Sequence, residues 1–255
     1  MFTITAAVSR AGGRSRNEDD LRWADADGAA SYWVLADGLG GHAAGDVAAQ
    51  LVVSAASQAL GGTEAAAASI ADDGIVRRIE RAFSQAQQAL EQGIREAPDH
   101  AGMRATLVVA VRSGDRIGWG HVGDSRLYCF SGLKLRVMTR DHSVSAMVSP
   151  PPADVRSHES RNRLLRVLGE AAAGAPELAA PIQLSAGDAL LLCSDGWWDH
   201  VLETEMELDL AAAETPQQWL ERMEDRLLDR VDGDFDNYTA IAVWCVEPDP
   251  AEVGA

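Results

Sequence analysis

SYWVLADGLGGHAAGDVAA, residues 31–49, passes through three backbone states in succession. The apolar run Tyr32 to Ala36 predicts a strand, Asp37-Gly38 and the glycines after it a tight loop, and the alanine-rich run from Ala43 a helix. Gly38, Gly40, Gly41 and Gly45 leave the backbone bare beside one carboxylate, Asp37, so a small charged ligand can come close. For the glycines alone, a turn without a ligand is the default. Two ligand chemistries compete with it. Residues 38–43, GLGGHA, carry the glycine spacing of a dinucleotide-binding turn. That reading needs an acid at the end of a second strand about 20 residues on, whereas Leu51 to Leu60 continues helical, and Asp37 would repel a pyrophosphate. A hard divalent cation instead wants a carboxylate oxygen and accepts a backbone carbonyl.

Outward from this stretch, Thr3 to Ser9 and Leu21 to Ala24 alternate as strands. Between them, Arg14-Ser15-Arg16-Asn17-Glu18-Asp19-Asp20 sets two arginines against three acids. Such a cluster is ordinarily a solvated loop pairing with itself; as a functional element, the arginine fork holds phosphate oxygens and the acids hold cations. Downstream, Ala43 to Leu60 and Asp72 to Glu96 read as helices, the second with Ile75, Ile79, Phe83, Ala86 and Leu90 as its apolar stripe. Thr106 to Val111, Arg116 to Val122, Arg126 to Phe130 and Leu133 to Met138 read as strands of an antiparallel meander. Within it, Asp124 stands on a glycine turn at a strand end, the setting of Asp37; His121 reads as structural. Arg140 to Gly169, with Pro150, Pro151 and Pro152, reads as an excursion over a site or as a polar loop. Pro181 to Leu184 and Ala189 to Cys193 return to strand, the latter stopping at Ser194-Asp195-Gly196. For Trp197-Trp198, packing is preferred to a docking surface. Glu205 to Ala212 and Pro216 to Val231 read as helices, and Tyr238 to Val246 as the last strand. Residues 232–237, DGDFDN, begin as a calcium loop would, but Asn237 stands where that loop requires Gly and Val243 where it requires Glu. Asp236 remains as an acid at a strand start.

The 255 residues carry no linker that would separate two halves, so one domain with an ample core is expected. A net charge of -17 argues against nucleic acid or anionic membrane as main partner. An anionic substrate would need positive charge supplied locally. Cys129, Cys193 and Cys245, each in an apolar run, read as buried free thiols in a reducing compartment. No apolar stretch approaches ~20 residues and no signal pattern opens the sequence, so the expectation is a soluble, cytoplasmic protein.

Asp37, Asp124, Asp195 and Asp236 stand at strand ends in four separate segments. Packed together, they are tolerable only with cations among them. All-oxygen ligation points to Mg²⁺ or Mn²⁺ rather than Zn²⁺, and two such ions ~4 Å apart are a device for displacement at phosphorus. RSRNED, LADGLGGHAAG, GHVGDSR, TRDHS, LLRVLG, LLLCSDG and DNYTAIAV, in this order from about Thr5 to Val246, resemble the successive motifs of the metal-dependent protein serine/threonine phosphatases of type 2C, in their bacterial form.

The resemblance implies an α+β fold, a four-layer α-β-β-α sandwich of two antiparallel sheets flanked by helices. It implies one catalytic domain over residues 1–246, with a flap at about 143–163 and a short tail at 247–255. It further implies two Mn²⁺ or Mg²⁺ ions, with Asp37 bridging both, the Gly38 carbonyl on one, and Asp195 and Asp236 on the other. Glu18 would act through a water, Asp19 and Asp124 match a third, weaker ion, and Arg14 matches the clamp on the substrate phosphate. The implied activity is hydrolysis of phosphoserine and phosphothreonine with a metal-activated water, in signal transduction. The implied partners are phosphorylated proteins and a serine/threonine kinase with its targets, the enzyme being a monomer without nucleic acid or membrane. Three positions depart from the family pattern. Ala11 stands where Gly is usual, with Gly12 and Gly13 beside it. Leu39 stands where eukaryotic relatives place a proposed general-acid histidine, and His42 is read as structural. The flap is short and proline-stiffened. The readings from other classes are a non-catalytic phosphoprotein-binding module on this fold, against which every core acid is present, and a dinucleotide-binding oxidoreductase.

Overall fold

Strands with both faces apolar need a layer on each side, and that requirement builds the architecture. The computed structural model describes residues 1–25, 30–40, 44–61, 71–97, 100–147, 163–170 and 175–247. Elements are numbered in chain order. One antiparallel sheet runs, edge to edge, β1 (Phe2–Arg10), β12 (Tyr238–Val246), β11 (Ala189–Cys193), β7 (Arg126–Ser131) and β8 (Lys134–Met138). The other runs β10 (Ile182–Gln183), β6 (Arg116–Val122), β5 (Leu107–Ser113), β3 (Ser31–Leu39) and β2 (Asp19–Ala24). To this second sheet β4 (Arg104–Ala105) adds on β3 and β9 (Glu177–Leu178) on β6.

Alternation along β3 shows how the layers form. Trp33 and Leu35 face inward and meet Leu190, Leu192, Ile241 and Val243 of the opposite sheet. Tyr32, Val34 and Ala36 face outward, under α1 (Gly45–Leu60) and α2 (Asp72–Glu96), against Val52, Ile75, Ile79 and Phe83. On the far side α5 (Glu203–Ala212) and α6 (Pro216–Leu228) cover the five-stranded sheet, where Met206, Trp219 and Met223 pack on Tyr128, Phe130 and Leu191. The result is the expected sandwich, helices outside and two sheets inside. Two short helices, α3 (Val144–Met147) and α4 (Asp195–Trp198), complete the described elements.

The meander expected over residues 106–138 is divided between the sheets. β5 and β6 pair, and β7 and β8 pair, but β6 and β7 belong to different sheets. The chain crosses between them at Gly123-Asp124-Ser125, with Gly123 at φ +102°. Both faces of these strands are buried, so apolar patterning marks them as strands without choosing their neighbours. β3 also runs past the expected end, through Asp37 and Gly38, because Asp19 pairs with Asp37 on one side and Ala105 with Gly38 on the other. The helix expected to reach Val231 stops at Leu228. Gly41, His42 and Ala43, the flap residues 148–162 with its three prolines, and the tail from 248 lie outside the described residues. The three cysteines are free and buried, and burial pushes all their thiols up. Among the described residues no helix is long and apolar enough to cross a membrane.

Candidate metal centre

Cross-strand pairing in the seven-stranded sheet sets Asp19 of β2 directly opposite Asp37 of β3. In the five-stranded sheet β11 and β12 are neighbours, which brings together Asp195, just after β11, and Asp236, just before β12. Asp124 lies in the crossover that joins the sheets. All five acids therefore gather at one end of the sandwich, from both of its layers. Small hydroxyls fix them. Ser194 Oγ donates to Asp19 Oδ2 (2.7 Å) and accepts from the Thr239 amide (3.0 Å). Thr106 Oγ1 accepts from the Asp37 amide (2.9 Å) and is bonded to Ser125 Oγ (2.7 Å). The carbonyl of Asp124 accepts from Trp198 Nε1 (2.9 Å), and Arg126 lies over that indole with Cζ 3.4 Å from the ring centre. Arg126 also forks onto Asp141 at 2.8 and 2.7 Å. Trp197 is buried in the core, as packing predicts.

The Arg14 loop is tied to the start of β12. Asn237 Oδ1 accepts from the Glu18 amide (2.8 Å), and its Nδ2 donates to the carbonyls of Ala11 and Arg16 (both 2.8 Å). Gly12 turns at φ +60°, and a Cβ there would sit 2.1 Å from the Asp236 carbonyl oxygen. The bend therefore falls at Gly12, one position beyond Ala11, where only glycine fits without strain. Glu18 in turn accepts the Gly38 amide on its carbonyl (2.9 Å). Its carboxylate and the Gly38 carbonyl converge on Gly45, where a Cβ would lie 2.5 Å from Glu18 Oε2 and 2.7 Å from Gly38 O.

These groups border an open cleft of about 900 Å³, lined among others by Arg14, Glu18, Asp37, Gly38, Asp195 and Asp236. Asp19 and Asp124 are buried at the same end of the sandwich and do not line it. Arg14 reaches Asp236 Oδ2 at 3.4 Å and Asp234 Oδ1 at 3.7 Å. Burial first, then Asp19, Asp195, Asp124 and Asp236, hold the Asp37 carboxyl well above the usual carboxylate range. Asp195 is raised in the same way, by burial and then Asp124 and Asp236. Burial with Asp141 raises Asp124 to about 7. Burial raises Asp19 to about 6 against the bonds from Ser194 and Thr239, and burial with Asp46 raises Glu18.

Such a set resists full ionisation unless cations enter it. Its donors are all oxygens, and Asp19 Oδ1 is buried without a hydrogen-bond partner, so hard divalent cations fit it. Every residue singled out in the sequence for this centre, Arg14, Glu18, Asp19, Asp37, Gly38, Asp124, Asp195 and Asp236, lies at this one end. Of the residues that position them, Ser194 and Asn237 show in the sequence only as neighbours of Asp195 and Asp236, and Thr106 carries no signal there.

A second group, His121, His142 and Glu177, also brings potential ligand atoms together. The imidazoles stack at 4.5 Å. The Gly123 amide donates to His142 Nδ1 (3.2 Å), which leaves the proton of the neutral ring on Nε2, facing Glu177 Oε2 at 3.4 Å. His121 Nε2 bonds the Arg140 carbonyl (2.8 Å). A protonated Nε2 cannot ligate, so the pair braces the Asp124 crossover, in keeping with a structural His121.

The family model described as protein phosphatase 2C matches residues 8–231. The serine/threonine protein phosphatase PstP of Mycobacterium tuberculosis is 33% identical over 212 residues, which are 80% of this chain and 37% of PstP. The chain thus spans well under half the length of that relative. The serine/threonine phosphatase stp of Listeria monocytogenes is 34% identical over 189 residues, 71% of this chain and 72% of that protein. The solved catalytic domain of PstP in complex with two manganese ions is similar with a TM-score of 0.79 at 28% identity, covering 96% of this chain and 99% of that one.

Proposed function

The chain belongs to the protein phosphatase 2C family, and from that membership we propose that it is a metal-dependent protein serine/threonine phosphatase, a phosphoric monoester hydrolase acting on phosphoserine and phosphothreonine. The observation that carries the reading is the convergence of Asp19, Asp37, Asp124, Asp195 and Asp236, with an orphaned carboxylate oxygen among them, beside a cleft that Arg14 lines. Residues 1–246 are read as a single catalytic domain with its flap at about 143–163.

Asp37, the Gly38 carbonyl, Asp195 and Asp236 would hold two Mn²⁺ or Mg²⁺ ions, Glu18 acting through a water, and Asp19 with Asp124 would hold a third. The two manganese ions in the PstP catalytic domain support this assignment. Bound there, such ions supply Lewis acidity that offsets phosphate charge and makes water a nucleophile at neutral pH. Arg14 holds two phosphate oxygens with its planar fork. Asn237 fixes the loop that carries Arg14 relative to Asp236, so the phosphate is presented in one orientation. Gly45 keeps the space between Glu18 and the Gly38 carbonyl clear. The presence of every core acid favours an enzyme over a non-catalytic binding module.

Phosphorylated proteins are the substrates of this reading, with a serine/threonine kinase and its targets as the setting, in signal transduction. The net charge of -17 supports neither nucleic acid nor anionic membrane as partner. A cytoplasmic monomer is the corresponding state. The test is phosphate release from a phosphothreonine peptide with Mn²⁺ and after EDTA, beside Asp236→Asn. Turnover that needs metal and falls by more than about 100-fold in the variant is expected, since even outer partners of a metal site are worth 10–100-fold. Turnover indifferent to EDTA, or unchanged in Asp236→Asn, would overturn the assignment.

A further inference from the structure

Arg14 is engaged on both sides by carboxylates, Asp236 at 3.4 Å and Asp234 at 3.7 Å, and the two differ in kind. Asp236 belongs to the acid cluster and is assigned a cation. Asp234 is not, and its side chain is 76% exposed at the rim of the cleft. The backbone enforces the Arg14–Asp234 encounter. The Gly13 amide donates to the Phe235 carbonyl (3.0 Å), and a Cβ on Gly13 would lie 2.1 Å from the Gly233 carbonyl oxygen and 2.8 Å from Asp234 Cα. Phe235 is itself anchored by stacking on Tyr238 at 6.0 Å. The segment carrying Asp234 thus lies directly on the turn carrying Arg14, which keeps the two side chains neighbours.

Resting on the phosphatase reading above, we propose that Asp234 sets the affinity of the cleft for substrate phosphate by competing with it for Arg14. A phosphate reaching the guanidinium must displace a carboxylate already seated there, and the apparent affinity falls by the fraction of time the arginine is engaged. When cations offset Asp236, Asp234 is the carboxylate that still draws on Arg14. It is a positioning residue, acting through Arg14 and not on the reacting atoms.

Inorganic phosphate titrated calorimetrically into Mn²⁺-loaded protein reads this directly. Asp234→Asn should bind phosphate about two- to fivefold more tightly, the range of an exposed ion pair. The KM for a phosphothreonine peptide should fall by the same factor, with kcat moving less. In an Arg14→Ala background, Asp234→Asn should give no gain. Asp46→Asn, which removes the same charge from beside Arg16 (3.5 Å), should give none either. Unchanged phosphate affinity in Asp234→Asn would overturn the proposal, as would an equal gain in Arg14→Ala or from Asp46→Asn, since either would reduce the effect to the general field of the cleft. Wild-type protein that binds phosphate but releases none from peptide would instead sink the phosphatase reading, while the binding comparison still decides the role of Asp234.

Discussion

Asp37, Asp195, Asp124 and Asp19 hold their protons to higher pH in the folded chain than in the unfolded one, chiefly through burial. Between the ordinary carboxylate range and about 6 to 7, the folded state binds more protons, so stability must fall as pH rises through that window. Metal-free protein should accordingly show a lower Tm at pH 8 than at pH 5, and Mn²⁺ should reverse the trend by binding the folded state alone. By the same sign, Asp124→Asn should raise the metal-free Tm at pH 8 by about 2–4 °C, equivalent to ~1 kcal/mol in a domain of this size, while weakening activity. Scanning calorimetry of both proteins with EDTA checks this, and a variant less stable than wild type would contradict it. Asp37, Asp124 and Asp195 were legible in the sequence because each is an aspartate on a glycine turn at a strand end and the setting is repeated, whereas Asp19 was singled out only by the family resemblance. Asn237 was not legible as a positioning residue. Its role is a hydrogen bond to Glu18, 219 positions away, and local sequence records no such distance.

The first turn of α1 shows an element shaped by the groups it faces and not by its own propensity. Alanine at Gly45 would favour the helix by up to ~1 kcal/mol, yet its Cβ would strike both the Glu18 carboxylate and the Gly38 carbonyl. Gly45→Ala should therefore weaken Mn²⁺ binding at least ~10-fold and also lower the metal-free Tm, because the Gly38 carbonyl it strikes is backbone. Calorimetric titration with Mn²⁺ decides it, and unchanged affinity would remove the Gly38 carbonyl from the centre. Among the elements, α2 and β12 run as their patterns predict, because an amphipathic stripe and an uninterrupted apolar run each specify one structure. β6 and β7 were assigned correctly as strands but wrongly as neighbours. A strand apolar on both faces satisfies any sheet with layers on either side, and the decision rests on Gly123, whose backbone lets the chain leave one sheet for the other.

The two sheets meet through side chains such as Trp33, Leu35, Leu192 and Ile241, all without solvent exposure. Truncating one, as in Leu192→Ala, should cost about 2–5 kcal/mol and shift a single cooperative transition in denaturant without splitting it. Two separate transitions would show instead that each sheet folds with its own helices. The four layers could be read from the resemblance. Composition and periodicity by themselves reach only a mixed α and β domain, because strand order depends on contacts between distant segments. Within the five-stranded sheet, β1 lies at an edge and pairs only with β12, Phe2 against Val246 through Arg10 against Tyr238. On the ribosome this register has a temporal meaning. The 9 residues of β1 are made before the rest of the sandwich and must remain unpaired until β12 has been made, while α1, α2 and the β3–β5–β6 ladder already have their partners. Closure over so long a loop is slow, and until then the edge of β11 stands open to other chains. Arg14 follows β1 and Asp236 precedes β12, so the cleft comes into being at the same moment as the sheet. The cleft that Arg14 lines cannot exist in a nascent chain before β12 has been made.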